Sequence, residues 1–117
     1  MKHNIIKDKT ISFAVEIIKF SKNLNQSKEF VISDQLKRSG TSIGAQIWEA
    51  EHAQSNADFI HKFSLAQKEA NETIYWLEIL VRISDNNRQY ISRLRNLIEE
   101  ILRIITAIIK KCKAKGC

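Results

Sequence analysis

The chain has 117 residues, a net charge of +6, no proline and three glycines, and 44% of its residues are apolar. That length sets a single domain over residues 1–117 and allows about two-thirds of the extended chain's surface to be buried, which removes any need for a metal or disulfide staple, while the apolar content and modest net charge argue against disorder. Residues that make chain reversals are too scarce for a turn-rich β sandwich or barrel, so the fold class is all-α.

Four helical segments follow in chain order. Over about 8–24, Phe13, Ile17, Phe20 and Leu24 recur at spacings of 4, 3 and 4, with Ile11, Val15 and Ile18 beside them, the pattern of an amphipathic helix. The polar stretch Asn25 to Glu29 interrupts it, and Ser33 predicts an N-cap for a second helix over 34–53. That helix carries Leu36, Ile43, Ile47 and Ala50 on one face. Ser39, Gly40 and Gly44 make its middle small; each glycine costs about 1 kcal/mol in an isolated helix, so they predict a neighbour packed close to the backbone.

Ser55 with Asp58 three residues on resembles a capping box, opening a third helix over 57–84. Its predicted core stripe is a heptad of Ile60, Phe63, Gln67, Ala70, Ile74, Leu77 and Val81. Ser84, Asp85, Asn86 and Asn87 form a short turn, which makes the fourth helix, over 88–113, an antiparallel neighbour. A strict repeat of Ile91, Leu94, Ile98, Ile101, Ile105 and Ile108 marks that helix. The expected architecture is an elongated up-and-down four-helix bundle whose longer helices span about 40 Å.

A bundle helix needs one apolar stripe, and two helices carry more. On the third, Leu65, Trp76, Ile79 and Ile83 fall away from the heptad, the last three at spacings of 3 and 4. On the fourth, Leu97 and Ile104 widen the stripe on one side and Leu102 and Ile109 on the other. An outward apolar strip is the mark of an interface, so the chain is expected to form a homo-oligomer through the third helix.

Charge is uneven. From Ser84 onward there are eight bases (Arg88, Arg93, Arg95, Arg103, Lys110, Lys111, Lys113 and Lys115) against three acids (Asp85, Glu99 and Glu100). Such a helix can neutralise phosphates and release counterions, giving salt-sensitive binding of RNA or DNA; the same charge can equally serve solubility.

Nothing in the sequence supports an enzyme or a cofactor. Glu49 and His52 make one Glu-x-x-His step, whereas a di-iron bundle needs two, with two further glutamates. Glu69 and Glu72 lack a second His at the right spacing, His3 and His61 have no nucleophile constellation, and there is no glycine-rich phosphate loop. The best apolar run, Ile101 to Ile109, is interrupted by Arg103, and the N-terminus lacks a secretory pattern, so no membrane association and a cytoplasmic location are expected. Cys112 and Cys117 are expected there as free thiols.

Three segments carry a family resemblance. Gln35 to Ala50 (QLKRSGTSIGAQIWEA), followed by Ala57 to Phe63 (ADFIHKF) and Lys68 to Glu78 (KEANETIYWLE), resembles the bacterial four-helix-bundle family encoded in intervening sequences of 23S ribosomal RNA genes. Members of that family are often called ribosomal proteins, and it is similar to the accessory protein of diversity-generating retroelements, a basic bundle that works with a reverse transcriptase. The resemblance implies a left-handed up-and-down bundle, a homopentamer, and either nucleic acid or a reverse transcriptase as partner. It implies no catalytic residues: Lys37, Arg38, Glu49 and the Tyr75 to Glu78 run match the pattern as packing and subunit-contact positions. Gly44 stands where proline is frequent, Gln46 where asparagine is, and Trp48 where a smaller residue is. Gly44 leaves a weak point at which the second helix could kink.

Overall fold

In the computed structural model, which describes residues 2–83 and 86–117 with side chains from residue 5 onward, the chain forms four helices. These are α1 (Lys2–Gln26), α2 (Phe30–Ala50), α3 (Asn56–Ile83) and α4 (Arg88–Lys115). Ser84 and Asp85 of the predicted turn, and the side chain of His3, lie outside the described residues. Each helix packs on its neighbours in sequence, and α1 closes the ring against α4 along the least extensive of the four seams. The result is an all-α four-helix bundle measuring 46 × 20 × 20 Å. No helix among the described residues is long and apolar enough to cross a membrane.

The stripe on α4 is as its sequence predicts: Ile91, Leu94, Ile98, Ile101, Ile105 and Ile108 are all buried, with Ile109 and Cys112 extending it. Phe13, Ile17, Phe20 and Leu24 of α1 and Leu36, Ile43, Ile47 and Ala50 of α2 are buried too. α1 begins earlier than its pattern suggests, because Ile6 belongs to the core.

Small residues set how closely α1 and α2 approach. A Cβ on Gly40 would lie 2.9 Å from Ile17 Cγ2, and one on Gly44 would lie 3.2 Å from Thr10 Oγ1. Helix α2 runs without a break through Gly44. Ser33 is not the N-cap expected of it: α2 starts at Phe30, and Ser33 is buried, donating its hydroxyl to the Ser21 carbonyl at 3.0 Å. A small hydroxyl there lets two helices touch while keeping a polar group satisfied.

The register of α3 also differs from the heptad expected. Phe63, Ala66, Ala70, Thr73, Leu77 and Leu80 are the buried set, while Ile60, Gln67, Ile74 and Val81 are half-buried on the side toward α4. The stripe is rotated toward α2, where Thr73 donates to Ser39 Oγ at 2.9 Å inside the core. Such a bond contributes about 1 kcal/mol, and leaving one hydroxyl without its partner costs more. Half of the expected capping box forms: Ser55 Oγ accepts the Asp58 N–H at 3.0 Å, while the Asp58 carboxylate reaches one residue past Ser55 and accepts the Gln54 N–H at 3.1 Å.

Cys112 and Cys117 are joined in a disulfide rather than standing as free thiols. Gly116, at φ +82°, turns the chain back after α4 and brings the two Cα atoms to 4.7 Å, inside the span a disulfide bridges.

Candidate nucleic-acid interface

The eight bases of α4 lie on its outward side and its two flanks, but they are not equivalent. In the first half of the helix they are engaged by the neighbouring helices. Arg93 pairs with Glu16 of α1 at 3.0 Å, and its guanidinium sits 5.9 Å from the Tyr90 ring centre. Arg95 bridges Glu78 of α3 at 2.8 Å and Glu99 of its own helix at 3.2 Å. Arg88 donates to the Val81 carbonyl at 3.4 Å, tying the start of α4 to the end of α3.

Two carboxyls record this engagement. Glu16 is held below the usual carboxylate range, first by the Tyr90 hydroxyl, which donates to it at 2.5 Å, and then by the Arg93 charge acting against partial burial. Glu78 is lowered by hydrogen bonds from Arg95 and Arg82. Burial and the Glu16 carboxylate push the Tyr90 hydroxyl up. Lys7, Lys9, Arg38 and Lys62 on the other helices are likewise paired, with Glu51, Glu100, Glu69 plus Glu72, and Glu49.

The second half of α4 is different. Residues 101–117 contain Arg103, Lys110, Lys111, Lys113 and Lys115 and no acid. None of the five has an ion-pair or hydrogen-bond partner among the described residues, and all five are exposed. Their positions follow from the stripe: with every third or fourth residue from Ile101 to Cys112 committed to the core, the intervening cations must face outward or flank the seams. Arg103 and Lys110 border a groove between α3 and α4 whose floor is Ile74 and Leu102. Lys113 and Lys115 occupy the last turn, where cations also meet the negative end of the helix dipole.

The strip expected to mediate oligomerisation is only partly open. Leu65, Trp76 and Ile79 are half-buried, and Ile83 is 53% exposed. Trp76 leans on the core and donates its indole N–H to Glu72 at 3.2 Å. A second apolar strip lies on α1, beside its core stripe: Ile11, Val15 and Ile18 are all exposed. Their own spacing of 4 and 3 is the signal for a separate strip. Trp48 of α2 is 53% exposed, with Lys7 resting 4.4 Å over its ring.

Glu69 and Glu72 converge on the Arg38 guanidinium and Glu49 pairs with Lys62, so each carboxylate is matched to a cation. His52 is exposed in the α2–α3 connection and His61 on α3.

The sequence model of the family described as 23S rRNA-intervening sequence protein matches residues 2–107. Among solved structures, the chain is similar to a protein of unknown function from the S23 ribosomal protein family of Bacteroides thetaiotaomicron. The two share 53% identity and a TM-score of 0.91, over 94% of this chain and 99% of that one. No curated protein matches.

Proposed function

Because this chain belongs to the 23S rRNA-intervening sequence protein family, we propose that it is a non-enzymatic, oligomeric, cytoplasmic bundle that binds RNA or DNA through the second half of α4. The observation that carries this reading is the row of five exposed cations in residues 101–117, a stretch with no acidic residue, none of them ion-paired among the described residues. Lysine and arginine left without internal partners attract counterions, and a polyphosphate backbone displaces those counterions with a gain in entropy. The contact is to phosphate and not to base edges, so it is sensitive to salt and indifferent to sequence. Assembly into an oligomer, supported by the apolar strips on α1 and α3, would link several weak patches and raise their joint hold.

The test is a variant with Arg103, Lys110, Lys111 and Lys113 all changed to Glu, assayed by filter binding to a structured RNA at low salt. Binding is expected to fall at least about 100-fold with helicity retained, and the dependence of log affinity on log salt to flatten by about 0.7 to 0.9 per lost phosphate contact. Undiminished binding overturns the reading. Light scattering on the wild type is expected to give a mass above that of one 13.5 kDa chain.

A second reading is favoured by the exposed Ile11, Val15, Ile18 and Trp48. It makes the bundle an adaptor for a protein partner such as a reverse transcriptase, with charge serving solubility. A partner retained on the wild type after nuclease treatment, and lost from Val15→Glu, supports it; loss on nuclease treatment alone removes it.

A further inference from the structure

The tail beyond α4 is built to be held in one place. Gly116 adopts a backbone angle that suits glycine, and its N–H closes the helix on the Cys112 carbonyl at 2.9 Å. Asn56, the first residue of α3, then grips both ends of the turn. Its Nδ2 donates to the Cys112 carbonyl at 3.4 Å, and its Oδ1 accepts the Cys117 N–H at 2.8 Å. The sulfurs of Cys112, buried at 3% exposure, and Cys117, exposed, complete the closure. Lys113 and Lys115 lie inside the closed span, and Lys110 and Lys111 in the turn before it. The clasp therefore sits within the candidate interface.

We propose that Cys112 and Cys117 form a redox-operated clasp that orders the basic end of α4 and thereby regulates its hold on a phosphate backbone. This rests on the nucleic-acid reading above. With the disulfide formed, Lys113 and Lys115 project from a fixed helical turn, so little ordering remains to be done on binding. With it broken, the tail is held by the Gly116 N–H bond to Cys112 and the two Asn56 bonds, at a solvent-facing site. These do not offset the entropy of ordering the last turn, which frays.

The chemistry is thiol–disulfide exchange with a small-molecule disulfide such as oxidised glutathione. The exposed Cys117 thiolate attacks one sulfur of that reagent. Its S–S bond breaks, one glutathione leaves and takes up a proton, and Cys117 carries the other as a mixed disulfide. The Cys112 thiolate displaces this second glutathione, which is protonated in turn, and the Cys112–Cys117 bond forms. Two electrons and two protons pass from the protein thiols to the glutathione pair. Excess thiol, attacking at the exposed Cys117 sulfur, runs the sequence backward.

The experiment compares the full chain oxidised, reduced, and as Cys117→Ser, a variant that leaves the buried Cys112 side chain in place. Hydrogen exchange over residues 108–117 is expected to be slow when oxidised and faster by about tenfold or more in the other two forms. Affinity for a structured RNA is expected to fall about 3- to 10-fold on reduction, with the salt slope shallower by about 1, as fits the loss of one or two phosphate contacts. Equal exchange in all three forms overturns the clasp. Equal affinity of the oxidised and reduced forms overturns its regulatory role. Arg103→Glu with Lys110→Glu, both outside the closed span, keeps the two readings apart. If this variant binds RNA less tightly in both redox states, a failure of the redox comparison is a failure of the clasp alone. If it binds as wild type does, the nucleic-acid reading fails, and the exchange data still report on the clasp.

Discussion

The two halves of α4 carry the same kinds of residue and use them differently. Arg93 and Arg95 reach sideways to Glu16 and Glu78, so their charge is consumed in joining α4 to α1 and α3. Arg103 and Lys110, about two to five turns further on, pair with no carboxylate among the described residues. A formal charge of +6 is thus a poor guide to what the molecule can attract. The useful quantity is charge left over after internal pairing, and in this bundle it collects at one end. Surface pairs such as Arg93 with Glu16 contribute little to stability, about 0.2 to 1 kcal/mol, but they withdraw a cation from any external phosphate.

The comparison is broken most directly by single substitutions, one in each half. Lys110→Glu is expected to lower RNA affinity about tenfold at low salt, because a phosphate contact is lost and a repulsion takes its place. Arg93→Asn, which removes one paired cation without reversing it, is expected to change affinity by less than about twofold. Titration of both variants against the same RNA under identical salt checks this. Equal losses at the two positions would mean that internal pairing does not decide which bases are available, and the division of α4 into two halves would fall.

How much of this could be seen in the sequence depends on whether the signal is local. The stripe of α4 could be read because its core positions from Ile91 to Ile108 are all large aliphatic residues at heptad spacing. The register of α3 could not, because its buried positions include Ala66, Ala70 and Thr73, the last bonded to Ser39 of α2, whereas the larger Ile60, Ile74 and Val81 are only half-buried. Size attracts attention in a sequence, while close packing selects for its absence. The division of the bases is hidden for a related reason. Arg95 with Glu99 is an i, i+4 pair visible on a helix diagram, but Arg93 and Glu16 are 77 positions apart and meet only once α1 lies against α4. The disulfide was hidden differently: a spacing of five residues carries no signal until Gly116 reverses the chain.

The smallest expected effect lies in the acid dependence of stability, which belongs to the paired half alone. Glu16 is held ionised by the Tyr90 hydroxyl and Arg93, and Glu78 by Arg95 and Arg82, so both carboxyls titrate lower in the folded chain than in the unfolded one. Their stabilisation is then complete above the unfolded carboxylate value, about 4.3, and is lost as pH falls from there through the folded values. Tyr90 acts with the opposite sign. Its raised value favours the protonated hydroxyl, so its contribution is present below about pH 10 and is lost as pH rises further. Urea midpoints of the wild type are therefore expected to decline as pH falls below about 4.5. A Glu16→Gln, Glu78→Gln double variant should decline less steeply, and Lys110→Gln should follow the wild-type slope. A double variant as acid-sensitive as the wild type would show that these two carboxyls do not join α4 to its neighbours in solution, and would remove the reason for treating Arg93 and Arg95 as already engaged.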